Sequence, residues 1–474
     1  MNNQSIESYR HRNRAVVFLL SAAVTEIYRG KRTLILDHSF VDGYYCVLKE
    51  QKQFAEGELE RLDATMRDLA RSFGRLKTRH ALPEHWHHLR TPRMRVQRPP
   101  LLVLGDHYAP SFEFTNLDLK HLPEFELMPY DRGFILRTTD SDSGLKPFSD
   151  SPKLFQMMKE YERWGRILQV ASIADLNQQI MTMGFKKLIW IAEGLHEKRL
   201  SRIADEIAAQ KGFRIIFVAG PSSSGKTTFS RRLSIHLAVN GLRSRYLSMV
   251  DYFRDRIEIP AQADGTLDFE SVHCVDLKAL QHDMDILSNG GYIRKRRYDF
   301  IHGIPQVFDE TMHLEEDEVL ILEGIHGLNP LVHAGLQRDQ YYRVYISALT
   351  QLNIDNTHPV ATSDGRLIRR IVRDHRDRGY SANDTIQRWN SVREGEVSNI
   401  FPFQEEADIM FNSALIYELA ILKRYALPLL KKASPNTVRD RLITLLSLFH
   451  AIPDRHVPGT SILREFIGKS YFQY

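Results

Sequence analysis

Cysteine is nearly absent from this chain. Cys46 and Cys274 are the only two in 474 residues and lie far apart. No disulfide framework and no zinc spacing can be built from them, so a reducing, cytoplasmic setting is expected. Long apolar runs are lacking too. None approaches the about 20 residues that span a bilayer, and no membrane partner is expected. There is no internal repeat and no low-complexity tract. Charge of one sign is not in large excess: 64 Lys and Arg against 59 Asp and Glu leave a formal net charge of +5. That balance suits a phosphate-rich partner without demanding nucleic acid. What remains is an ordinary globular composition, 43% apolar and 26% charged. The length allows two or three domains with proper cores.

The stretch "RHRNRAVVFLLSAAVTEIYRG" begins basic and then runs apolar from Ala15 to Val24. That order resembles a secretory signal. Against it, Val17, Leu20, Ala23 and Val24, then Ile27 and Tyr28, recur at helical spacing past the supposed cleavage point, and a buried helix is the expectation. Residues 1–138 read as a mixed α+β unit: this helix, strand-like "RTLILDHSF" and "DGYYCVL", a long helix from about Phe54 to Arg79, then strand-like "LLVLGDHY" and "FELMPYDRGFILRTT". The Ser/Asp-rich "TDSDSGLKPFSDSP" reads as a linker. Connecting helices are expected over 153–183 and 190–211. From residue 212 to the end at 474 the rhythm is strand, glycine-rich turn, helix, strand, the alternation of a parallel sheet.

The strongest local signal is "RIIFVAGPSSSGKTTFSRRLSIHL". A short buried strand, Ile215 to Ala219, precedes Gly220–Thr227, which fit G-x-x-x-x-G-K-[ST]. Glycines let the backbone curl so that successive N–H groups face phosphate oxygens. The helix beginning near Lys226 adds its positive end. Gly220, Pro221, Ser222, Ser223, Ser224, Gly225, Lys226, Thr227 and Thr228 are therefore the expected nucleotide cradle. Lys226 is expected to reach the β and γ phosphates, and the Thr227 hydroxyl to ligate Mg²⁺.

Three later stretches carry charge where such a cradle could use it. The strand "VLILEGIHGLNP" places Glu323 near its end, suited to hold a Mg²⁺ water shell or to orient a nucleophile. "RKRRYDFIHGIP" sets a basic run against Tyr298, Asp299 and Phe300, able to flank a planar or hydroxylated acceptor. "SDGRLIRRIVRDHRDRGYS" puts Arg366, Arg369, Arg370 and Arg373 on one side of a helix. Such a face can stabilise transferring phosphates, or it can be a solvated helix laced with Asp374 and Asp377.

From about Ile191 to Phe472 the chain resembles the uridine kinase / phosphoribulokinase family. It is most similar to larger bacterial uridine-kinase-like proteins with a synthetase-like domain in front. The stretches that carry the likeness are "GLHEKRLSRIADEIA", "AGPSSSGKTTFSRRLSIHLAVNGLR", "LEGIHGLNP", "YISALTQLNID", "TSDGRLIRRIVRDHRDRGYSA", "FPFQEEADIMFNSALIYELA" and "SILREFIGKSYF". The resemblance implies an α/β P-loop kinase domain, a parallel sheet flanked by helices. It implies ATP with Mg²⁺ and transfer of the γ-phosphoryl group to a hydroxyl, of a nucleoside in the first instance. It turns the arginine helix into the family's lid. Catalytic roles then fall on Lys226, Asp251, Glu323, Arg369, Arg370 and Arg373. Acceptor binding falls on Tyr252, Tyr298, Asp299, Phe300, His302 and Arg366, and metal binding on Thr227 and Glu323.

The front unit resembles the second, editing-type α+β domain of threonyl-tRNA synthetases through "HSFVDGYYCVL" and "FELMPYDRGFILR". That domain's paired histidines would fall near Phe18 and Ala22, its later Cys and His near Phe112 and Asn116. None of these is a ligand or base, so no deacylase is expected. RNA contact through the basic stretch Arg67–Arg98, a metal at His85, His87 and His88, and a homo-oligomer stay open.

Two departures from the family pattern matter. The family places an aspartate base at the end of the second strand, which an ungapped count from Lys226 puts at Val250; Asp251 follows one residue later, before Tyr252 and Phe253. Asp255 and Glu323 are further acids within reach. The His and Arg that read a nucleoside in known uridine kinases fall at Gly303 and Pro305, with His302 one step before. A kinase for a small hydroxylated molecule and a nucleotide-binding pseudokinase or RNA-associated regulator are the two readings.

Overall fold

The computed structural model describes residues 3–40, 42–49, 51, 54–79, 101–110, 118–139, 144–210, 212–259, 267–299, 302–350 and 352–473. Phe300, Phe112, Asn116, the three histidines at 85, 87 and 88, and the basic stretch beyond Arg79 lie outside the described residues.

The first helix, α1 (Asn3–Tyr28), buries its apolar run: Val17, Leu20, Ala23 and Val24 are all at 3% exposure or less. It packs with β1 (Leu34–Phe40), β2 (Gly43–Leu48) and α2 (Glu58–Phe73). Leu59, Leu62, Met66 and Leu69 give α2 one buried stripe. The helix expected to reach Arg79 stops at Phe73, because Gly74 closes the last turn with its N–H on the Ala70 carbonyl, 3.1 Å. A small antiparallel sheet follows, β3 (Lys77–Arg79), β4 (Leu101–Leu104) and β5 (His107–Pro110). Then β6 (Phe125–Tyr130) and β7 (Gly133–Thr138) complete a four-stranded antiparallel sheet of order β1-β2-β7-β6. Arg67, at the start of the basic stretch, is paired with Asp63 at 2.7 Å.

The helix expected over 153–183 is two helices, α3 (Pro152–Leu168) and α4 (Ile173–Met181). Gln169 turns left-handed after α3, and Ser172 starts α4 with a capping box to Asp175. The helix α5 (Phe185–Ala208) begins five residues earlier than 190.

After it comes a five-stranded parallel sheet of order β16-β13-β8-β12-β9: β8 (Ile215–Ala219), β9 (Arg243–Ser248), β12 (Glu318–Gly324), β13 (Tyr341–Ser347) and β16 (Ile409–Asn412). Both faces are covered, which is why β8, β12, β13 and β16 read as unbroken buried runs. One face carries α5, α6 (Lys226–Val239), α8 (Thr362–Arg378), α9 (Ala382–Asn399), α10 (Glu418–Lys432) and α11 (Thr437–Ser447). The other carries α7 (Leu277–Ser288) and α3. Between them lie the hairpin of β10 (Ile293–Asp299) and β11 (Ile304–Met312), the small hairpin of β14 (Asn353–Asp355) and β15 (His358–Pro359), and the short α12 (Arg464–Ile467). No helix among the described residues is long and apolar enough to cross a membrane.

The front unit is fastened to the parallel-sheet unit by polar and apolar contacts. Phe40, Tyr45 and Ile135 share one apolar cluster with Phe155, Tyr345 and Met410. The Leu36 N–H donates to the Asn356 carbonyl at 2.8 Å, and the Asn353 side chain donates to the Leu36 carbonyl at 2.9 Å. Asp364 on α8 is buried and takes both Arg10 of α1, at 3.2 Å, and Arg441 of α11, at 3.0 Å. Burial alone would raise its carboxyl, but the two guanidiniums hold it well below the usual carboxylate range.

Removing this carboxylate leaves two cations without their shared partner. Asp364→Ala is expected to cost about 3–5 kcal/mol, the usual toll for breaking a buried pair from one side. Because the folded pKa is depressed, the pair's contribution is present above the ordinary aspartate pKa and is lost as pH falls through the folded value. Thermal melts at pH 7 and under strongly acidic conditions should therefore show a gap between wild type and variant that closes on acidification.

Candidate active site

The C-terminal ends of β8, β9 and β12 lie level: Ala219 pairs with Gly324, and Glu323 with Ser248. Everything that follows those strands converges on one cleft. After Ala219 the chain turns at Gly220, φ 152°, where a Cβ would strike the Ile346 carbonyl, so only glycine fits. The loop then delivers Gly225, φ 85°, as the cap of α6, with no side-chain cap at the helix start.

The inward, carbonyl side of the loop is tied from Pro221 to Ser224. Lys226 Nζ donates to the Pro221 carbonyl at 3.2 Å. Arg366 donates to the Ser222 carbonyl at 3.0 Å and Arg369 to the Ser223 carbonyl at 3.3 Å. The Ser413 hydroxyl donates to the Ser224 carbonyl. Behind them, Arg366 is paired with the buried Glu396, and Arg369 with the buried Glu418 at 2.5 Å. Both arginines, expected to close over substrate, are at 1% exposure or less and act as braces behind the cradle.

Arg370 and Arg373, on the same helix, stand closer to open space. Arg370 reaches the Ser222 hydroxyl at 3.1 Å, and both arginines lean on the buried Asp374. The solvated-helix reading of this segment is not what the structure shows, since Asp374 gathers Arg370, Arg373 and Arg378.

Glu323 accepts the Thr227 hydroxyl at 3.1 Å and the Tyr246 hydroxyl at 3.2 Å. Burial pushes its carboxyl up, opposed by the charge of Lys226; burial likewise pushes Lys226 down, opposed by Glu323 and Glu465. These three side chains are one buried, mutually dependent set. Asp251 is not on a strand. The chain turns at Ser248 into a single 3-10 turn, Met249–Tyr252, whose cap is the Ser248 side chain. Burial raises the Asp251 carboxyl to about 6; the Tyr298 N–H and the Arg297 charge oppose this, and the charge of Glu323 adds to it. Val250 packs into the apolar cluster beneath.

The other expected acceptor residues are divided. Tyr252 is buried, its hydroxyl on Asp283 at 2.9 Å, with Arg296 over its ring. Tyr298 is buried against Phe253. Asp299 and His302 pair at 2.6 Å at the tip of the β10–β11 hairpin, where His302 is largely exposed.

Three residues escaped the sequence reading. Glu270 is buried, and its Oε2 accepts no hydrogen bond among the described residues; burial lifts it to about 7 against the pull of Arg370. His326 is buried and pushed down to about 4 by burial, with Lys226 adding to the shift. Glu465, from the far C-terminal end, accepts both the N–H and the hydroxyl of Thr228, at 3.0 and 2.8 Å. His326 and Glu465 fall within "LEGIHGLNP" and "SILREFIGKSYF", but no spacing there assigns either a role, and Glu270 lies in no quoted stretch; only the folded chain brings the three to the cradle.

A parallel sheet, a phosphate-binding loop at its centre and an acid at the end of the neighbouring strand define a P-loop kinase type of domain. Residues 215–418 match the Phosphoribulokinase / Uridine kinase family and form a kinase domain of that family. Over 197 residues, 41% of this chain, the sequence is 28% identical to uridine kinases of Deinococcus deserti and Bacillus subtilis, covering 86% and 84% of those proteins. A solved structure described as a possible uridine kinase from Bacillus stearothermophilus is 18% identical, with TM-score 0.31 over 45% of this chain and 98% of that one.

The braces and the rim should respond differently to mutation. Arg369→Met leaves Glu418 buried and unpaired and is expected to cost about 3–5 kcal/mol. Arg373→Ala, with Asp374 still held by Arg370 and Arg378, should cost far less. Circular-dichroism melts of the two variants check this; equal losses would contradict the division.

Proposed function

We propose that the kinase domain transfers the γ-phosphoryl group of ATP, with Mg²⁺, to a hydroxyl of a small molecule, a nucleoside of the uridine or cytidine kind being the first candidate. The observation that carries this reading is the convergence of the tied loop, buried Lys226, the Thr227–Glu323 contact and the Asp251 carboxyl on one cleft. Lys226 would meet the β and γ phosphates, and Arg370 and Arg373 the charge that spreads over the transferring group. Thr227 and Glu323 supply hard oxygen donors 3.1 Å apart, a set that fits Mg²⁺. The ion, when bound, neutralises charge on the phosphate oxygens. Asp251 is the general base: raised to about 6, it is ionised at neutral pH and still basic enough to take a hydroxyl proton. The unpaired oxygen of Glu270 is a ready acceptor for another substrate hydroxyl.

A nucleotide-binding pseudokinase is the second reading. Val250 stands where the family count puts its base, and Glu465 already holds the Thr228 N–H. For the front unit we propose a scaffold of the threonyl-tRNA-synthetase type. Phe18 and Ala22, where that domain's histidines would fall, are buried apolar residues of its core.

Purified protein with ATP and Mg²⁺ is expected to release ADP only with a suitable acceptor from a panel of nucleosides and phosphosugars. The rate should rise with pH through about 6, as Asp251 loses its proton. Asp251→Asn should lower it by about 10²–10⁴ and abolish that rise. ATP binding with no turnover on any acceptor would establish the second reading instead. A second variant probes the cradle itself. A triphosphate that takes the Thr228 N–H must displace the Glu465 carboxylate, so Glu465→Gln should tighten ATP binding several-fold by calorimetry.

A further inference from the structure

Tyr246 stands on β9, the edge strand of the parallel sheet, in register with Ile321 of β12. Its side chain lies on the face that α6 covers, packed against the apolar cluster there. Arg231 of α6 sets its guanidinium carbon 4.1 Å from the centre of the Tyr246 ring. Arg231 comes four residues after Thr227, so the two share a side of α6. The cation over one face and the apolar cluster beside it fix the place of the ring.

The Tyr246 hydroxyl donates to Glu323 Oε1 at 3.2 Å, and the Thr227 hydroxyl donates to the same oxygen at 3.1 Å. A hydroxyl has one proton to give. A Thr227 oxygen that ligates a cation must turn that proton away from the metal, and Glu323 Oε1 is in place to accept it. Oε1 is thus loaded with two donors, while Oε2 accepts no hydrogen bond among the described residues. Two hydroxyls on one oxygen hold the buried carboxylate against the rotation that would exchange its oxygens. They leave Oε2 as the oxygen open to a cation or its water. The two anchors are not equivalent. Thr227 belongs to the cradle that has to accommodate the nucleotide, whereas Tyr246 belongs to a strand, the more rigid support for a site.

We propose that Tyr246 is a positioning residue for the divalent cation that accompanies the nucleotide: it holds Glu323 Oε1 so that Oε2 is presented to the ion or to its water shell. This role rests on the reading of Thr227 and Glu323 as the Mg²⁺ donors. It adds to that pair an outer partner on a strand that carries no residue of the phosphate loop. Outer partners of this kind orient a metal's ligands and tune its affinity.

The test is calorimetric titration of the full chain with ATP, once in excess Mg²⁺ and once in EDTA. The quantity read is the factor by which Mg²⁺ tightens ATP binding. Tyr246→Phe keeps the ring under Arg231 and loses only the hydroxyl. In this variant the factor is expected to fall roughly tenfold, while affinity for metal-free ATP stays that of wild type. In a Glu323→Gln background the same change should cost nothing further, because the hydroxyl acts through that carboxylate. A merely structural role would lower both ATP affinities together and would show in circular-dichroism melts. Three results overturn the proposal: an undiminished Mg²⁺ factor in Tyr246→Phe, an equal loss in the Glu323→Gln background, or a parallel fall of both affinities. Wild-type ATP binding that ignores Mg²⁺ would overturn it together with the metal reading of Thr227 and Glu323, and so is told apart from a failure confined to Tyr246.

Discussion

A loop that points its N–H groups at phosphate must point its carbonyls the other way, and in this chain the other way is protein interior. Buried carbonyls without partners are expensive, so the cradle can exist only if something waits behind it. Lys226, Arg366, Arg369 and Ser413 each take one carbonyl of the run Pro221–Ser224. The two arginines then bring a second constraint. Fully buried guanidiniums need carboxylates, and Glu396 and Glu418 supply them. Much of the architecture of α8, α9 and α10 follows from the need to deliver those four side chains to the back of one short loop.

The same logic explains the balance of charge around the cleft. Buried cations outside the loop are neutralised locally, as Asp374 does for Arg370, Arg373 and Arg378. Inside the cleft, Glu323 and Glu465 oppose Lys226, and Glu270 opposes Arg370. A triphosphate entering this space would take over the role these carboxylates play toward the cations. The carboxylates raised by burial, Glu323, Glu270 and Asp251, are the ones least able to remain ionised beside that added negative charge unless a metal or the rim arginines compensate.

How much of this was legible in the sequence depends on the distance over which each feature is encoded. The loop, its strand and its helix are local, and Gly220–Thr227 announced themselves. The parallel sheet was readable because strands covered on both faces lose alternation. The arginine helix was readable as a face but not as two functions. Arg366 and Arg369 point to the interior and Arg370 and Arg373 toward the rim, a division set by partners 30 and 49 residues away. Glu465 reaches Thr228 across 237 residues, and no spacing rule links such a pair. Helix ends were misjudged at Phe73 and Leu168, where Gly74 and Gln169 stop the helix although the apolar pattern continues.

Asp251 shows why a register count is not a geometry. On an extended strand, Val250 and Asp251 would face opposite ways, and a one-residue displacement would aim the acid out of the cleft. The strand, however, ends at Ser248. In the 3-10 turn that follows, Met249–Tyr252, the backbone period is three and no longer two, so Val250 and Asp251 do not face opposite sides of the sheet. Ser248 is the register partner of Glu323. The turn thus returns Asp251 to the side of the sheet end where Glu323 stands, close enough for the two charges to feel each other, while Val250 is sent into the apolar layer. An acid one residue late in sequence is thus carried by the change of backbone period to the side of the sheet end where Glu323 stands.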